Sequence, residues 1–270
     1  MSRNKVDNGV AVDRFRACGS RSVCVNCSYA FEGSYCPRCG QQAGVRRLTF
    51  KAVVDNLAYG ITNLDRGVLY TLKGLFTNPG FVIRDYIAGR RVMYAKPFAL
   101  LVLLCGIYAL VTAFTNIWYG GICIASDNGA LEVPMTLLEK VGKNMLVMML
   151  LQLPFFALFT RWMFRGWGYN YTEMLFASAF ISCQQAVIYV LFAALMFWIP
   201  GSVPYLNVIS SFSMMVLMAW SLKGLFGVSW WSASVKTLVI NILSIIVVAV
   251  ALLLAVFLGT VIALNFGILT

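Results

Sequence analysis

The chain has 270 residues, of which 60% are hydrophobic and only 11% charged, with a mean hydropathy of +0.80 and a net charge of +11. An ordinary soluble domain cannot carry that composition, so the sequence reads as an all-α polytopic membrane protein. It contains no histidine, which removes histidine general bases, Ser-His-Asp triads, His-ligated haem and mixed His/carboxylate metal centres.

Residues 1–23 read as a flexible basic N-terminus, and no early apolar run suggests a secretory signal peptide. Residues 24–44 follow with Cys24-x2-Cys27 and Cys36-x2-Cys39. Each pair places two thiolates at one tight turn, and the spacer Ser28 to Tyr35 is long enough to fold back as a short hairpin around one ion. The pattern predicts a structural zinc ribbon with Cys24, Cys27, Cys36 and Cys39 as ligands, closed to catalysis because four sulfurs complete a tetrahedral shell. Pro37 sets one backbone angle of the second knuckle, and Gly40 supplies the positive φ that turns amides toward sulfur. Phe31 is expected to pack inside this small unit. Cys18, Cys105, Cys123 and Cys183 stand outside the pattern and read as small buried or incidental thiols.

Residues 45–96 are too polar to cross a bilayer yet carry apolar positions at helical intervals. Phe50, Val53, Val54 and Leu57 fit one buried helix face. A second helix, from Asp65 to Phe76, presents Val68, Leu69, Leu72, Leu75 and Phe76, and is expected to stop at Asn78-Pro79-Gly80. A third is expected from Phe81 to Ala88, closing at Gly89. The segment is predicted to be an amphipathic linker lying along the membrane surface and coupling ribbon to spans, with Arg90, Arg91 and Lys96 placed to meet anionic head groups. Asp55, Asp65 and Asp85 stand beside Lys51, Arg66 and Arg84 and read as solvated ion pairs.

From residue 97 to residue 270 five stretches reach the length of about 20 apolar residues that a spanning helix needs: 97–118, 144–164, 174–198, 203–222 and 238–266. The fourth carries Asn207, Ser210, Ser211 and Ser213 and is the least apolar; the short link Ile199 to Val203 makes a tight hairpin of spans three and four an alternative. Fifteen of the 21 basic residues precede Pro97, while Arg161, Arg165, Lys223 and Lys236 flank later connections. Lys140 and Lys143 share a loop with Asp127, Glu132 and Glu139. Positive residues favour the cytoplasmic side, which predicts a multi-pass membrane protein with a cytoplasmic N-terminus and a C-terminus on the outer side, periplasmic or extracellular. A reducing compartment around the cysteine pairs favours zinc over disulfides.

Polar groups inside the spans are Gln152, Gln184, Gln185 and Asn241, joined by Ser244. Such groups serve as interhelical contacts or line a path, and the interhelical role is the simpler reading here. Asn170 with Glu173 three residues later resembles a capping box for the third span. No Gly-x4-Gly-Lys-Ser/Thr loop is present. The basic residues are spread along the membrane-proximal chain, so the net charge points to the bilayer and no nucleic-acid partner is expected.

Cys-x2-Cys, Gly33-Ser34-Tyr35-Cys36-Pro37-Arg38-Cys39-Gly40-Gln41, Leu64-Asp65-Arg66-Gly67 with Thr71-Leu72, Asn78-Pro79-Gly80, Asp85-Tyr86-Ile87-Ala88-Gly89-Arg90-Arg91 and Tyr94 with Pro97 together resemble the bacterial membrane-protein family called domain of unknown function 3667. Tyr169-x3-Glu173 and Gly227-x-Ser229 with Lys236 are similar to weaker features of that family, which commonly has histidine where this chain has Met174. The resemblance implies the topology and a zinc ribbon, and carries no activity with it. The expected function is therefore a non-enzymatic membrane adaptor or regulator that uses the ribbon to bind a protein partner. The alternatives are a small transporter or channel subunit, and third a subunit of a membrane lipid-modifying enzyme.

Overall fold

The structure, a computed structural model, describes residues 22–45, 47–60, 67–115, 145–199 and 202–265. The extreme N-terminus, Cys18, Arg46, Asp65 with Arg66, the loop bearing Cys123, Asp127, Glu132, Glu139, Lys140 and Lys143, and the C-terminal Thr270 lie outside the described residues.

A two-stranded unit comes first: β1, Ser22–Val23, pairs antiparallel with β2, Ala30–Phe31. Among the described residues eight α-helices follow: α1 Phe50–Gly60, α2 Val68–Thr77, α3 Pro79–Ile87, α4 Pro97–Thr115, α5 Met145–Met163, α6 Tyr171–Trp198, α7 Val203–Phe226 and α8 Trp230–Asn265. Four of them, α4, α6, α7 and α8, are long and apolar enough to cross a membrane, and the apolar part of α5, Val147–Met163, is shorter. These helices mark the chain as a multi-pass membrane protein.

The helix bounds differ from the hydropathic stretches for local reasons. α6 begins at Tyr171 because Asn170 and Glu173 form the expected capping box, in which the Asn170 N–H donates to Glu173 Oε2 at 2.8 Å. α8 begins eight residues before 238: Ser229 Oγ and its carbonyl take up the N–H groups of Ser232 and Ala233. α7 runs on past Leu222 to Phe226 and stops where Gly227 adopts φ 64°. The serines of α7 do not shorten it: Ser210, Ser211 and Ser213 each donate to a carbonyl three or four residues back, which satisfies them without a neighbour. At 24 residues α7 is about 36 Å long, enough to span. Among the described residues the shorter apolar helix is instead α5, which carries Pro154 within it.

The largest departure lies in the segment before α4. It is built into the bundle. Asn78 closes α2 and caps α3, its Oδ1 accepting from the Phe81 N–H at 3.3 Å, and Pro79 occupies the first turn where its missing N–H is harmless. α3 thus starts two residues before the expected Phe81. Val82, Ile83 and Tyr86 of α3 are buried. The Tyr86 ring stacks on Phe176 at 5.8 Å and meets Phe180 edge-on at 5.0 Å. Where α3 crosses α7, a Cβ added to Gly80 would lie 2.1 Å from the Gly224 carbonyl carbon, so two backbones touch at a point that admits only glycine.

The amphipathic faces also turn differently from the reading of the sequence. In α1 Val53 is buried with Leu48, but Phe50 and Val54 are 67% and 52% exposed; Leu57's side chain lies outside the described residues. In α2 the buried positions are Leu75 and the polar Thr71, whereas Leu69 is 82% exposed. Thr71 is accommodated because its Oγ1 donates to the Gly67 carbonyl at 2.6 Å and accepts from the Ala95 N–H at 2.8 Å. The protein covers one side of each helix and leaves apolar side chains turned outward.

Candidate metal centre and its junction with the bundle

The two Cys-x2-Cys knuckles repeat one backbone pattern. The Cys24 N–H donates to the Tyr29 carbonyl while its own carbonyl accepts from the Ser28 N–H, both at 2.9 Å; Cys36 does the same with Gln41 and Gly40, at 2.8 and 2.9 Å. The residue four beyond each leading cysteine needs a left-handed backbone: Gly40 has φ 76°, and Ser28 has φ 58°. Glycine signalled this turn in the second knuckle, and no glycine signalled it in the first. Strand pairing brackets each knuckle, Ser22 with Phe31 and Val23 with Ala30 around the first, Tyr35 with Gln42 around the second. The hairpins therefore run through the knuckles, and the spacer Ser28 to Tyr35 supplies one strand to each instead of folding back on itself. Phe31 is buried against Cys24 and Cys36, as expected.

This pattern gathers four sulfurs. Cys24 Sγ lies 3.5 Å from Cys39 Sγ, Cys27 Sγ lies 3.6 Å from Cys36 Sγ, and all four fall within 4.8 Å of one another. Sulfur ligands at about 2.3 Å from a tetrahedral ion would stand about 3.8 Å apart, so the set fits one metal ion. A disulfide would need about 2.05 Å, and all four cysteines are free. Cys105 and Cys183 are buried thiols elsewhere in the bundle, as expected, with Cys183 Sγ donating to the Pro97 carbonyl.

The ribbon is fastened to the helices at three points. Gln41, buried, accepts from the Arg91 N–H at 3.4 Å. Val25 and Val45 pack at Gly89, whose φ of 105° brings the α3 terminus against them. The third point is electrostatic: Arg47 Nε donates to Glu173 Oε1 at 2.9 Å and its guanidinium reaches Oε2 at 3.1 Å and the Gly168 carbonyl at 3.3 Å. The Glu173 side chain is 3% exposed, so the fork of Arg47 and the Asn170 amide are what hold its charge. The cap alone was visible in the sequence; a partner 126 positions away was not.

Arg90 and Arg91, expected at head groups, have protein partners. Arg90 Nη1 lies 3.1 Å from Asp85 Oδ1, so Asp85 pairs with Arg90 and not with Arg84. Arg91 Nε donates to the Tyr86 carbonyl, and its guanidinium lies 5.7 Å from the Tyr86 ring centre. Lys96 is half-buried just before α4. Tyr94 donates its hydroxyl to Asp85 Oδ2 at 3.0 Å, and burial together with that carboxylate pushes the phenol well above its usual range.

The intramembrane polar residues divide into two groups. Gln184 Nε2 donates to the Leu75 carbonyl and its Oε1 accepts from Ser221 Oγ, both at 2.8 Å, joining α2, α6 and α7. Gln152, Gln185 and Asn241 line a cavity of about 10 Å³ between α5, α6 and α8.

No curated protein and no solved structure matches the chain. Residues 65–109 match the model of a family described as Protein of unknown function (DUF3667), a stretch that holds α2, α3, the Asp85, Arg90 and Tyr94 cluster and the start of α4. The segment in which the chain's motifs are densest is thus also the one wedged into its bundle, and over that stretch the chain is similar to the DUF3667 family.

Proposed function

We propose that the chain is a non-enzymatic adaptor of a bacterial cytoplasmic membrane, in which a zinc ribbon binds a cytoplasmic protein and passes that binding to the helices. The observation that carries this reading is the junction: the ribbon is docked through Gln41, Val25, Val45 and the Arg47–Glu173 pair, while Val23, Tyr29 and Tyr35 remain exposed on its outer side. Cys24, Cys27, Cys36 and Cys39 would hold the zinc, whose contribution is folding energy, since four thiolates leave no open position for a substrate.

The orientation follows from charge. Arg161, Arg165, Lys223 and Lys236 gather at the bundle end where Arg47 meets Gly168, and Lys223 lies 4.4 Å over the Trp230 ring. The positive-inside rule assigns that end to the cytoplasm, and Trp162, Trp167, Trp230 and Trp231 suit its interface. A cavity the size of one water at Gln152, Gln185 and Asn241 supports the adaptor over a solute path.

Capture from gently solubilised membranes tests the reading. A protein retained by the intact chain and lost with both Tyr35→Ala and Cys36→Ser is the expected result. Identical retention by all three chains would contradict a role for the ribbon surface.

A further inference from the structure

α5 and α8 run antiparallel along a seam whose register is marked at two points. Lys236 Nζ lies 4.3 Å over the Phe164 ring, and Asn241 shares the lining of one cavity with Phe156. Thr160 of α5 and Thr237 of α8 both fall between these points. Thr237, Asn241 and Ser244 follow the i, i+4, i+7 spacing of one helix face.

Thr160, Thr237 and Ser244 are fully or almost fully buried, at 2%, 0% and 0% exposure, and their hydroxyls have no hydrogen-bond partner among the described residues. Helical serine and threonine ordinarily escape that cost by donating back one turn, as Ser221, Ser210 and Thr112 do in this chain. Three buried hydroxyls without a partner therefore occur along one face and its opposing helix. The cavity continues the seam. Its polar lining is Gln152, Ser182, Gln185 and Asn241, groups that offer both donors and acceptors and carry no charge. Its volume of about 10 Å³ is close to the roughly 10–15 Å³ that one water requires. An ion would meet no countercharge there, and a hydrocarbon would leave the amides and hydroxyls unpaired.

We infer that the α5–α8 seam holds a water-binding site within the membrane domain, with one ordered water occupying the cavity at Gln152, Gln185 and Asn241, one turn from the buried hydroxyls of Thr237 and Ser244. Met218 reports on it, because Asn241 Nδ2 lies 3.1 Å from Met218 Sδ. Met174 and Met196 are equally buried and serve as internal references.

The experiment is radiolytic footprinting of the full chain in lipid nanodiscs, where hydroxyl radicals form from water at the site itself. Met218 should oxidise several-fold faster than Met174 and Met196, and equal rates would overturn the inference. Peroxide added from bulk should spare Met218 while oxidising the half-exposed Met93; oxidation of both at one rate would mean open access to bulk solvent and would overturn ordered water. Asn241→Leu should lower the Met218 rate to that of the references, and Gln152→Leu gives the same reading from the opposite helix if the first variant does not fold. An unchanged Met218 rate in a folded variant counts against the site.

Discussion

The ribbon and the helical bundle are stabilised by different physics, although each is folded around sulfur or apolar side chains from distant positions. The ribbon's buried core is Cys24, Phe31 and Cys36, and its strand pairing amounts to one pair of two-residue strands and the Tyr35–Gln42 bridge. A unit that small cannot offset its chain entropy by burial, and bonds from the four cysteines to a metal ion would do so. The bundle's main cluster is continuous instead, running from Leu48 through α3 and α4 to Phe226 and Ile240, with a smaller one at Tyr108, Ala193 and Met196. In lipid its stability comes from close packing and from a few internal hydrogen bonds. One region should therefore answer to chelators and the other to changes of shape.

The largest expected effect follows from removing the metal. Zinc in small four-ligand sites contributes about 10–16 kcal/mol of apparent folding free energy at neutral pH, so chelation or Cys39→Ser should unfold the ribbon entirely and leave the spans inserted. Elemental analysis of reductively purified chain should find one zinc, and circular dichroism should show the helices unchanged after stripping. Loss of helix on chelation would break the comparison.

Gly80→Val makes the opposite cut. Its side chain would collide with the Gly224 backbone, an overpacking that costs about 1–3 kcal/mol or more, while the metal content should not change. A thermal melt in detergent, read beside zinc content, separates the two regions. Arg47→Ala tests the junction: the buried Glu173 carboxylate would keep the Asn170 amide and lose its cationic partner. With Arg47 half exposed to solvent, about 1–2 kcal/mol is expected. The ribbon should detach with its metal still bound, seen as lost distance constraints between spin labels on ribbon and bundle.

The smallest effects concern neighbouring glutamines. Gln184→Leu strands the Leu75 carbonyl and should cost about 0.6–2 kcal/mol. Gln185→Leu, at the cavity, should cost less than Gln184→Leu in the same melt, and the reverse order would show that the Gln184 contacts contribute little.

Much of this was legible in the sequence where one physical signal dominates over a short range. Paired cysteines at metal spacing, long apolar runs, the Asn170 and Glu173 cap and the break at Asn78-Pro79 all have local causes, and the structure contains each. Periodicity located α1 to α3 but misjudged what they face. It finds an apolar side without naming its neighbour, so of the expected covered faces Val53 and Leu75 are buried while Phe50 and Leu69 are exposed, and the polar Thr71 is buried beside Leu75. The Gly80–Gly224 crossing, the reach of Gln184 to Leu75 and the Arg47–Glu173 pair join positions more than 100 residues apart, and no local pattern encodes such a match. Ser28 at φ 58° was hidden for the opposite reason: the knuckle turn that closes on the Cys24 carbonyl holds it in a conformation its own type disfavours.

Hydrogen exchange in a lipid nanodisc, with and without metal, tests most directly whether residues 79–88 belong to the bundle and residues 22–45 to the metal. The amides of 79–88 should exchange slowly in both states, as slowly as those of buried α6, and those of 22–45 slowly only when metal is bound. Fast exchange throughout 79–88 would contradict the wedged segment, and a ribbon that stays protected after stripping would contradict its dependence on the metal.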